Sequence, residues 1–117
     1  MKHTQCHDMY LDNLVKNLEQ VGENRKEISW IMKDGLWMKE DSYNQYKLAD
    51  LICVYYKPYA SGIELKSSTH GRSKAKKQLE STGVFIHDML GIKNFTLKAV
   101  YYNKGRYNYE IFKQYKR

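Results

Sequence analysis

The amino-acid sequence predicts an α/β fold, in which helices pack on a β-sheet, within a single domain spanning residues 1–117. A chain of this length can bury one hydrophobic core but not two. Apolar residues make up 42% of the sequence and proline occurs once, which is typical of a folded domain and not of a disordered tail. Helical periodicity and strand-like runs also alternate along the chain, as they do in α/β proteins.

Three segments have apolar residues at helical spacing. They cover residues 8–21, 23–35 and 71–91. The first is followed by Gly22 and the second ends at Gly35, and glycine is a natural C-terminal stop for a helix. We therefore expect two helices before the sheet and a third that packs on it.

Runs rich in β-branched and aromatic residues predict five strands. Two of them flank a turn signal at 57–62 and predict a β-hairpin, and two others flank Asn103-Lys104-Gly105, a short hairpin loop. The first run is interpreted as a strand and a turn. The runs are 36–45, 47–56, 63–68, 95–102 and 106–112. The predicted order is helix, helix, three strands, helix, two strands.

The charge balance favours a polyanionic partner. Twenty Lys and Arg against thirteen Asp and Glu give a formal net charge of +7, and such a field favours nucleic acid over acidic or neutral partners. The simplest alternative is that the charge only keeps the protein soluble. Cys6 and Cys53 do not form a disulfide framework, and neither a signal peptide nor a membrane span is evident. We expect a soluble, cytoplasmic protein with no membrane partner.

The triplet Glu64-Leu65-Lys66 places a carboxylate and an amine on one face of a predicted strand. Side chains two residues apart leave the same face about 6 to 7 Å from one another, while Leu65 points towards the core. This is the only Asp/Glu-x-Lys triplet in the sequence. An isolated triplet of this kind is nevertheless more often a solvated strand face than a working pair.

Asp50 favours the interpretation of Glu64 and Lys66 as a working pair. It is the only charged residue between Leu48 and Tyr56, in a strand that should be largely buried, and a buried carboxylate needs a cation or several donors. In the predicted hairpin, Asp50 and Glu64 lie on neighbouring strands and can point at one spot. Two carboxylates, a backbone carbonyl and waters suit a hard divalent cation, for which Mg²⁺ is the natural occupant. Lys66 would stand beside it, placed to orient or deprotonate an attacking water and to neutralise charge on a phosphate.

Asp50 followed by the E-x-K triplet, each on a predicted strand, resembles the motif of the PD-(D/E)XK nuclease superfamily. The resemblance covers the chain from about Glu23 to Phe112. It implies a restriction-endonuclease-like fold, with a mixed central β-sheet flanked by helices, to which this chain adds an extra N-terminal helix. Within the superfamily, the compact size and the later Gln78 resemble archaeal Holliday junction resolvases and virus-type replication-repair nuclease domains.

The resemblance implies a Mg²⁺-dependent endonuclease that hydrolyses phosphodiester bonds, with Mn²⁺ able to substitute. It implies Asp50, Glu64 and the backbone carbonyl of Leu65 as metal ligands and Lys66 as the catalytic amine. Gln78 matches a glutamine that several of these nucleases use near the nucleophilic water or the scissile phosphate. The alternative for Gln78 is an ordinary glutamine on a helix surface.

Two further positions bear on the resemblance. Ala49 stands where the family has Pro, a position that shapes the strand entry and carries no chemistry. Family members often carry a Glu on the helix before the sheet, and Glu19, Glu23 and Glu27 compete for that role. We favour Glu23, because it opens the predicted helix 23–35. An exposed helix carboxylate remains the alternative for each of the three.

Basic residues are concentrated at the start of the third predicted helix. Arg72, Lys74, Lys76 and Lys77 stand where the helix dipole makes cations unfavourable by about 0.3 to 1 kcal/mol each. A docked anion would offset this cost, since helix amides and lysines can share a phosphate. A solvated basic face is the alternative.

Two other classes of function remain open. One is a non-catalytic nucleic-acid-binding module on the same fold, and the other is a protein-interaction domain with an exposed, tyrosine-rich sheet. For the nuclease, DNA is favoured over RNA, and both a monomer and a homodimer remain open. A domain this small has little surface for reading bases, which favours structure-dependent or weakly specific cleavage.

Overall fold

A computed structural model describes residues 2–38, 45–66 and 72–116 of the chain, and the side chains of 8–37, 47–66 and 74–116. Two α-helices and seven strands are present in these ranges. The helices are α1 (Lys2–Val15) and α2 (Arg72–Asp88). The strands are β1 (Ile28–Lys33), β2 (Leu36–Met38), β3 (Gln45–Lys47), β4 (Leu51–Tyr55), β5 (Ala60–Lys66), β6 (Phe95–Asn103) and β7 (Arg106–Tyr115).

Five strands form one mixed sheet in the order β1-β4-β5-β6-β7. β1, β4 and β5 are antiparallel neighbours, β5 and β6 are parallel, and β7 is antiparallel to β6. The parallel pair is joined through α2, since two parallel strands need a crossover connection. The expected α/β class with a mixed sheet is thus present. β2 and β3 form a separate two-stranded sheet.

The central strands of the sheet are buried on both faces, and each face has its own core. Side chains from α1 and the following turn cover one face, which we call the α1 face; Leu11, Leu14, Cys53, Ile63 and Val100 belong to this core. α2 covers the opposite α2 face. Successive residues of a strand point to opposite faces. The side chains of β5 therefore alternate between the two cores.

The second predicted helix is wrong, so in the described part of the chain α1 is the single α-helix before the sheet and is not an extra helix ahead of another one. Residues Arg25–Glu27 form a single 3-10 turn, and Ile28–Lys33 then form strand β1, which pairs with β4. The spacing of Ile28, Ile31 and Met32 fits a helix, but the segment also contains the β-favouring run Ile-Ser-Trp-Ile. Strand β4 is buried along its whole length and is paired on both sides. Pairing with β4 decides the conformation of this segment.

The first and third predicted helices and both predicted hairpins are confirmed, with shifted ends. The first helix stops at Val15, and a 3-10 turn continues to Val21, where Gly22 closes it at φ +80°. The hairpin β4–β5, helix α2 and the hairpin β6–β7 all form. Lys104 and Gly105 make the turn between β6 and β7, and both have positive φ, as the type I′ hairpin turn requires.

The run 36–45 contributes β2 and the first residue of β3, while its residues 39–44 lie outside the described part of the chain, as do residues 67–71. No helix in the described part of the chain has the length and apolar character needed to cross a membrane.

Candidate functional site

The hairpin of β4 and β5 brings Asp50 and Glu64 together. Leu51 pairs with Ile63, so the residue before β4 lies opposite the one that follows Ile63. The backbone N–H of Asp50 donates to Glu64 Oε1 at 3.1 Å, and the backbone N–H of Leu65 donates to Asp50 Oδ2 at 2.7 Å. The Glu64 carboxylate is therefore held by the amide of Asp50, and the Asp50 carboxylate by the amide of the residue after Glu64.

Both carboxylates are withdrawn from water. Asp50 is 2% exposed and Glu64 is 3% exposed. Burial is the main cause that raises the pKa of Glu64, and a hydrogen bond to the Asp50 carboxyl and the charge of Asp50 raise it further, to about 8. The nearby Lys66 ammonium opposes this change in the pKa. In the metal-free protein, the pair thus holds a proton near neutral pH.

Lys66 and Gln78 approach the same carboxylate. Lys66 Nζ lies 3.7 Å from Glu64 Oε2, and the lysine side chain is 19% exposed. With its amide nitrogen facing the pair, Gln78 contacts Glu64 Oε2 and donates to Oε1 at 3.2 Å. Strand β5 supplies Glu64 and Lys66 on one face, and α2 supplies Gln78 above them. The structure brings together four of the residues that the sequence singles out.

Thr82 is a supporting residue that the sequence reasoning missed. Its hydroxyl accepts from the backbone N–H of Ala49 at 2.7 Å and donates to the Gln78 carbonyl at 2.7 Å. Gly62 makes this approach feasible, because a Cβ there would lie 2.8 Å from Thr82 Cγ2. Helix α2 is thereby fixed against the entry to β4. A threonine at a helix centre, which can bond back to the carbonyl four residues earlier, was the available signal.

Glu23 does not join this group. Its carboxylate is buried, accepts a hydrogen bond from the Tyr55 hydroxyl at 2.5 Å and pairs with Lys98. Lys98 Nζ also donates to the Val21 carbonyl at 2.6 Å. Tyr55 belongs to the core on the α1 face, whereas Glu64 and Gln78 meet on the α2 face. We favoured Glu23 because it opens the predicted helix 23–35, and that helix does not form.

The two competing glutamates also lie elsewhere. Glu19 is exposed in the turn after α1, and Glu27 Oε2 lies 3.5 Å from Lys57 Nζ at the surface. Across the described ranges, His, Cys, Asp and Glu side chains form no group of three or more that could hold a metal ion. Within these same ranges, Asp50 and Glu64 are thus a pair of carboxylates without a third.

The basic residues lie at the start of α2, which begins at Arg72. Lys74, Lys76 and Lys77 are exposed, while the Arg72 side chain lies outside the described side chains. The first turn of α2 contains no acidic residue. Gln78, which contacts Glu64, follows Lys77 directly in the chain, so these lysines are on the same helix as a residue of the site.

The arrangement combines two buried carboxylates, an amine and an amide donor at one end of a strand pair. Carboxylate oxygens are hard ligands, and an amine next to them can hold or transfer a proton or face an anion. Searches of protein-family models, curated proteins and solved structures found no match to the chain.

Proposed function

We propose that this protein is a metal-dependent nuclease that hydrolyses phosphodiester bonds at the Asp50–Glu64 pair. The observation that carries the proposal is that two buried carboxylates lie side by side, with Glu64 accepting from the backbone N–H of Asp50, Asp50 accepting from the backbone N–H of Leu65, and Lys66 Nζ 3.7 Å from Glu64. Two buried acidic groups repel each other once both are ionised, and a divalent cation removes that repulsion better than one proton does.

The donor set fits Mg²⁺ or Mn²⁺. Asp50 and Glu64 supply carboxylate oxygens, the Leu65 carbonyl is the third proposed protein ligand, and such oxygen ligands suit hard divalent cations. When bound, the cation would supply Lewis-acid stabilisation of the charge that develops on the phosphate.

Lys66 and Gln78 have distinct proposed roles. Lys66 carries a positive charge towards the position of the scissile phosphate, and its amine can transfer a proton to or from the attacking water. The Gln78 amide, held by a helix, orients the Glu64 carboxylate and the groups beside it. Both side chains are borne on regular elements, which keeps their geometry fixed.

The order of elements supports the resemblance to the PD-(D/E)XK superfamily in part. An antiparallel set of strands carries Asp50 and the triplet, α2 crosses over, and β6 lies parallel to β5. A restriction-endonuclease-like fold is our proposal for this arrangement. The basic turn at Lys74, Lys76 and Lys77 supports nucleic acid as the substrate, with DNA favoured.

A non-catalytic nucleic-acid-binding module is the second candidate. The observation that favours it is the placement of Glu23, which serves an ion pair with Lys98 and leaves the carboxylate pair without a third acidic residue within the described ranges. Such a module would bind nucleic acid through the same basic surface and cleave nothing.

Cleavage assays separate the two candidates. Labelled single-stranded, duplex and four-way-junction DNA and single-stranded RNA are incubated with the protein in Mg²⁺, Mn²⁺ or EDTA. The nuclease proposal predicts metal-dependent products that Glu64→Gln abolishes and that the control Asp12→Asn, at an exposed residue of α1, leaves unchanged. Binding without cleavage on every substrate would instead establish the binding module.

A further inference from the structure

Helix α2 does not cover the whole α2 face, and a groove remains between α2 and the edge strand β7. Two cavities follow one another along it, with volumes of about 180 Å³ and 480 Å³. The smaller one lies beside the first half of α2 and the larger one beside its second half. Strand β6 forms the floor of both, with Ala99 and Tyr101 in the first and Phe95 and Leu97 in the second.

The smaller cavity adjoins the carboxylate pair. Ala99 pairs with Glu64 and Tyr101 pairs with Lys66 across the parallel strands β5 and β6, and neighbouring strands lie about 4.8 Å apart. Two small residues, Ala75 of α2 and Ala99 of β6, are among the residues that line it. A group placed in this cavity would sit one strand away from the proposed reacting centre.

A β-bulge shapes the outer wall of the groove. The pairing of β6 with β7 shifts between Leu97 and Lys98, so that Phe112 is an extra residue on β7. A bulge re-aims side chains that would otherwise alternate. As a result Phe112 lines the smaller cavity while its neighbour Lys113 lines the larger one. The smaller cavity therefore has aromatic rings, Tyr101 and Phe112, in its lining, and among the described residues its charged groups are Lys76 and Glu110.

The larger cavity combines cations with aromatic rings. Lys93, Lys113 and Lys116 line it, and the rings of Phe95 and Tyr115 lie with their centroids 4.6 Å apart. The acidic side chains in the lining are Glu80 and Asp88, and Asp88 is hydrogen-bonded to His87 at 2.8 Å. Lysines next to aromatic faces, arranged along a groove, match the requirements of a strand with phosphates and unstacked bases.

We infer that this groove binds a single strand of nucleic acid, with one base in the smaller cavity against Tyr101 and Phe112. The inference rests on the proposed nuclease function and names its substrate class. A base in a duplex must first be unpaired and unstacked before it can enter a cavity between a helix and a sheet, whereas an unpaired base can enter and stack on an aromatic side chain without that cost. The lysines of the larger cavity then contact phosphates further along the strand.

The test compares two substitutions of Tyr101 with a matched tyrosine elsewhere. Binding of a fluorescent single-stranded oligonucleotide and of its duplex is measured in EDTA, where no cleavage occurs. Tyr101→Ala should weaken single-strand binding about 5- to 150-fold, the loss expected for one stacked base. Tyr101→Phe keeps the ring and should bind as wild type does. Tyr56→Ala, which removes a 78% exposed ring outside the groove, should also bind normally.

A second variant keeps the inference testable if Tyr101→Ala does not fold. Ala99→Leu fills the smaller cavity from its floor and should reduce single-strand binding while leaving Mn²⁺ binding at the carboxylates intact. Equal binding of single strand by Tyr101→Ala, Ala99→Leu and wild type would overturn the inference, as would tighter binding of duplex than of single strand by wild type. Tight, Tyr101-dependent single-strand binding without cleavage would support single-strand binding in the groove and would contradict the nuclease proposal.

Discussion

At the scale of single residues, Asp50 and Glu64 form a closed unit. The backbone amide of Asp50 binds the Glu64 carboxylate and that of Leu65 binds the Asp50 carboxylate. Hydrogen bonds from amides stabilise ionised carboxylates, yet burial and mutual repulsion prevail for Glu64, whose pKa rises to about 8. We therefore expect Glu64 to release its proton when a cation binds the pair.

The raised pKa predicts how the metal-free protein responds to pH. The folded protein binds the Glu64 proton more tightly than the unfolded chain, whose pKa is near 4.5. The stabilising contribution of that proton is therefore complete below about pH 4.5 and is lost as the pH rises to about 8. Urea unfolding in EDTA across this range should show falling stability in wild type and a flatter profile in Glu64→Gln. Identical profiles would argue that Glu64 titrates normally.

Lys66 carries the sharpest prediction on catalysis. Lys66→Ala should lower cleavage by about 10²- to 10⁴-fold, the usual contribution of a positioned proton-transfer group, while Mn²⁺ binding and the urea midpoint change little. Lys66→Arg should restore activity only in part, because a guanidinium stays protonated. Single-turnover cleavage measures both. Lys57→Ala, which breaks the exposed pair with Glu27, is the control and should cleave normally. Wild-type rates for Lys66→Ala would remove the amine from the mechanism.

At the scale of elements, Thr82 fixes α2 to the segment that enters β4. Thr82→Val keeps the shape and removes the acceptor of the buried Ala49 N–H, which should cost about 1 to 3 kcal/mol of unfolding free energy. Thr82→Ser keeps the hydroxyl and should lose much less. Urea unfolding of the two variants tests this. If Thr82→Val were as stable as Thr82→Ser, the hydroxyl would have no anchoring role.

The start of α2 gives a prediction on affinity. Charge reversal at Lys74 and Lys76 should weaken nucleic-acid binding and flatten its salt dependence, by about 0.7 in the logarithmic slope for each single-strand phosphate that the protein no longer neutralises. Fluorescence titrations at several salt concentrations measure the slope. Lys26→Glu/Lys57→Glu changes the net charge equally at exposed sites before β1 and after β4, and should keep the wild-type slope. An unchanged slope in the α2 variant would place the phosphates elsewhere.

The elements also show what the sequence could and could not predict. The hairpin that joins Asp50 to Glu64 was predictable, because local turn residues separate two strand-like runs. Strand β1 was not predictable, because the spacing of its apolar residues also fits a helix. Only the pairing with the distant strand β4 decides that this segment is a strand. Glu23 was misplaced for a related reason. Its partner Lys98 is far along the chain, and no local pattern reports which face of the sheet a carboxylate will reach.

At the scale of the whole molecule, the two faces of the sheet carry different sets of charged groups. The α1 face buries a satisfied cluster of Glu23, Lys98 and Tyr55 within an apolar core. The α2 face carries the carboxylate pair and the groove beside β7. This division keeps the charges of the α1 face away from the pair. Within the described part of the chain no third acidic side chain joins the pair, so we expect a cation at Asp50 and Glu64 to be held by those two side chains and by backbone or water oxygens.

Calorimetric titration of Mn²⁺ into the protein tests this central claim most directly. At pH 7, where the pair holds a proton, wild type should bind the ion and release protons, seen as different heats in buffers of different ionisation enthalpy. Asp50→Ala/Glu64→Ala should lose this binding, whereas Glu27→Ala/Asp88→Ala, which removes two exposed carboxylates, should retain it. Equal Mn²⁺ binding by wild type and by Asp50→Ala/Glu64→Ala would contradict a metal site at this pair.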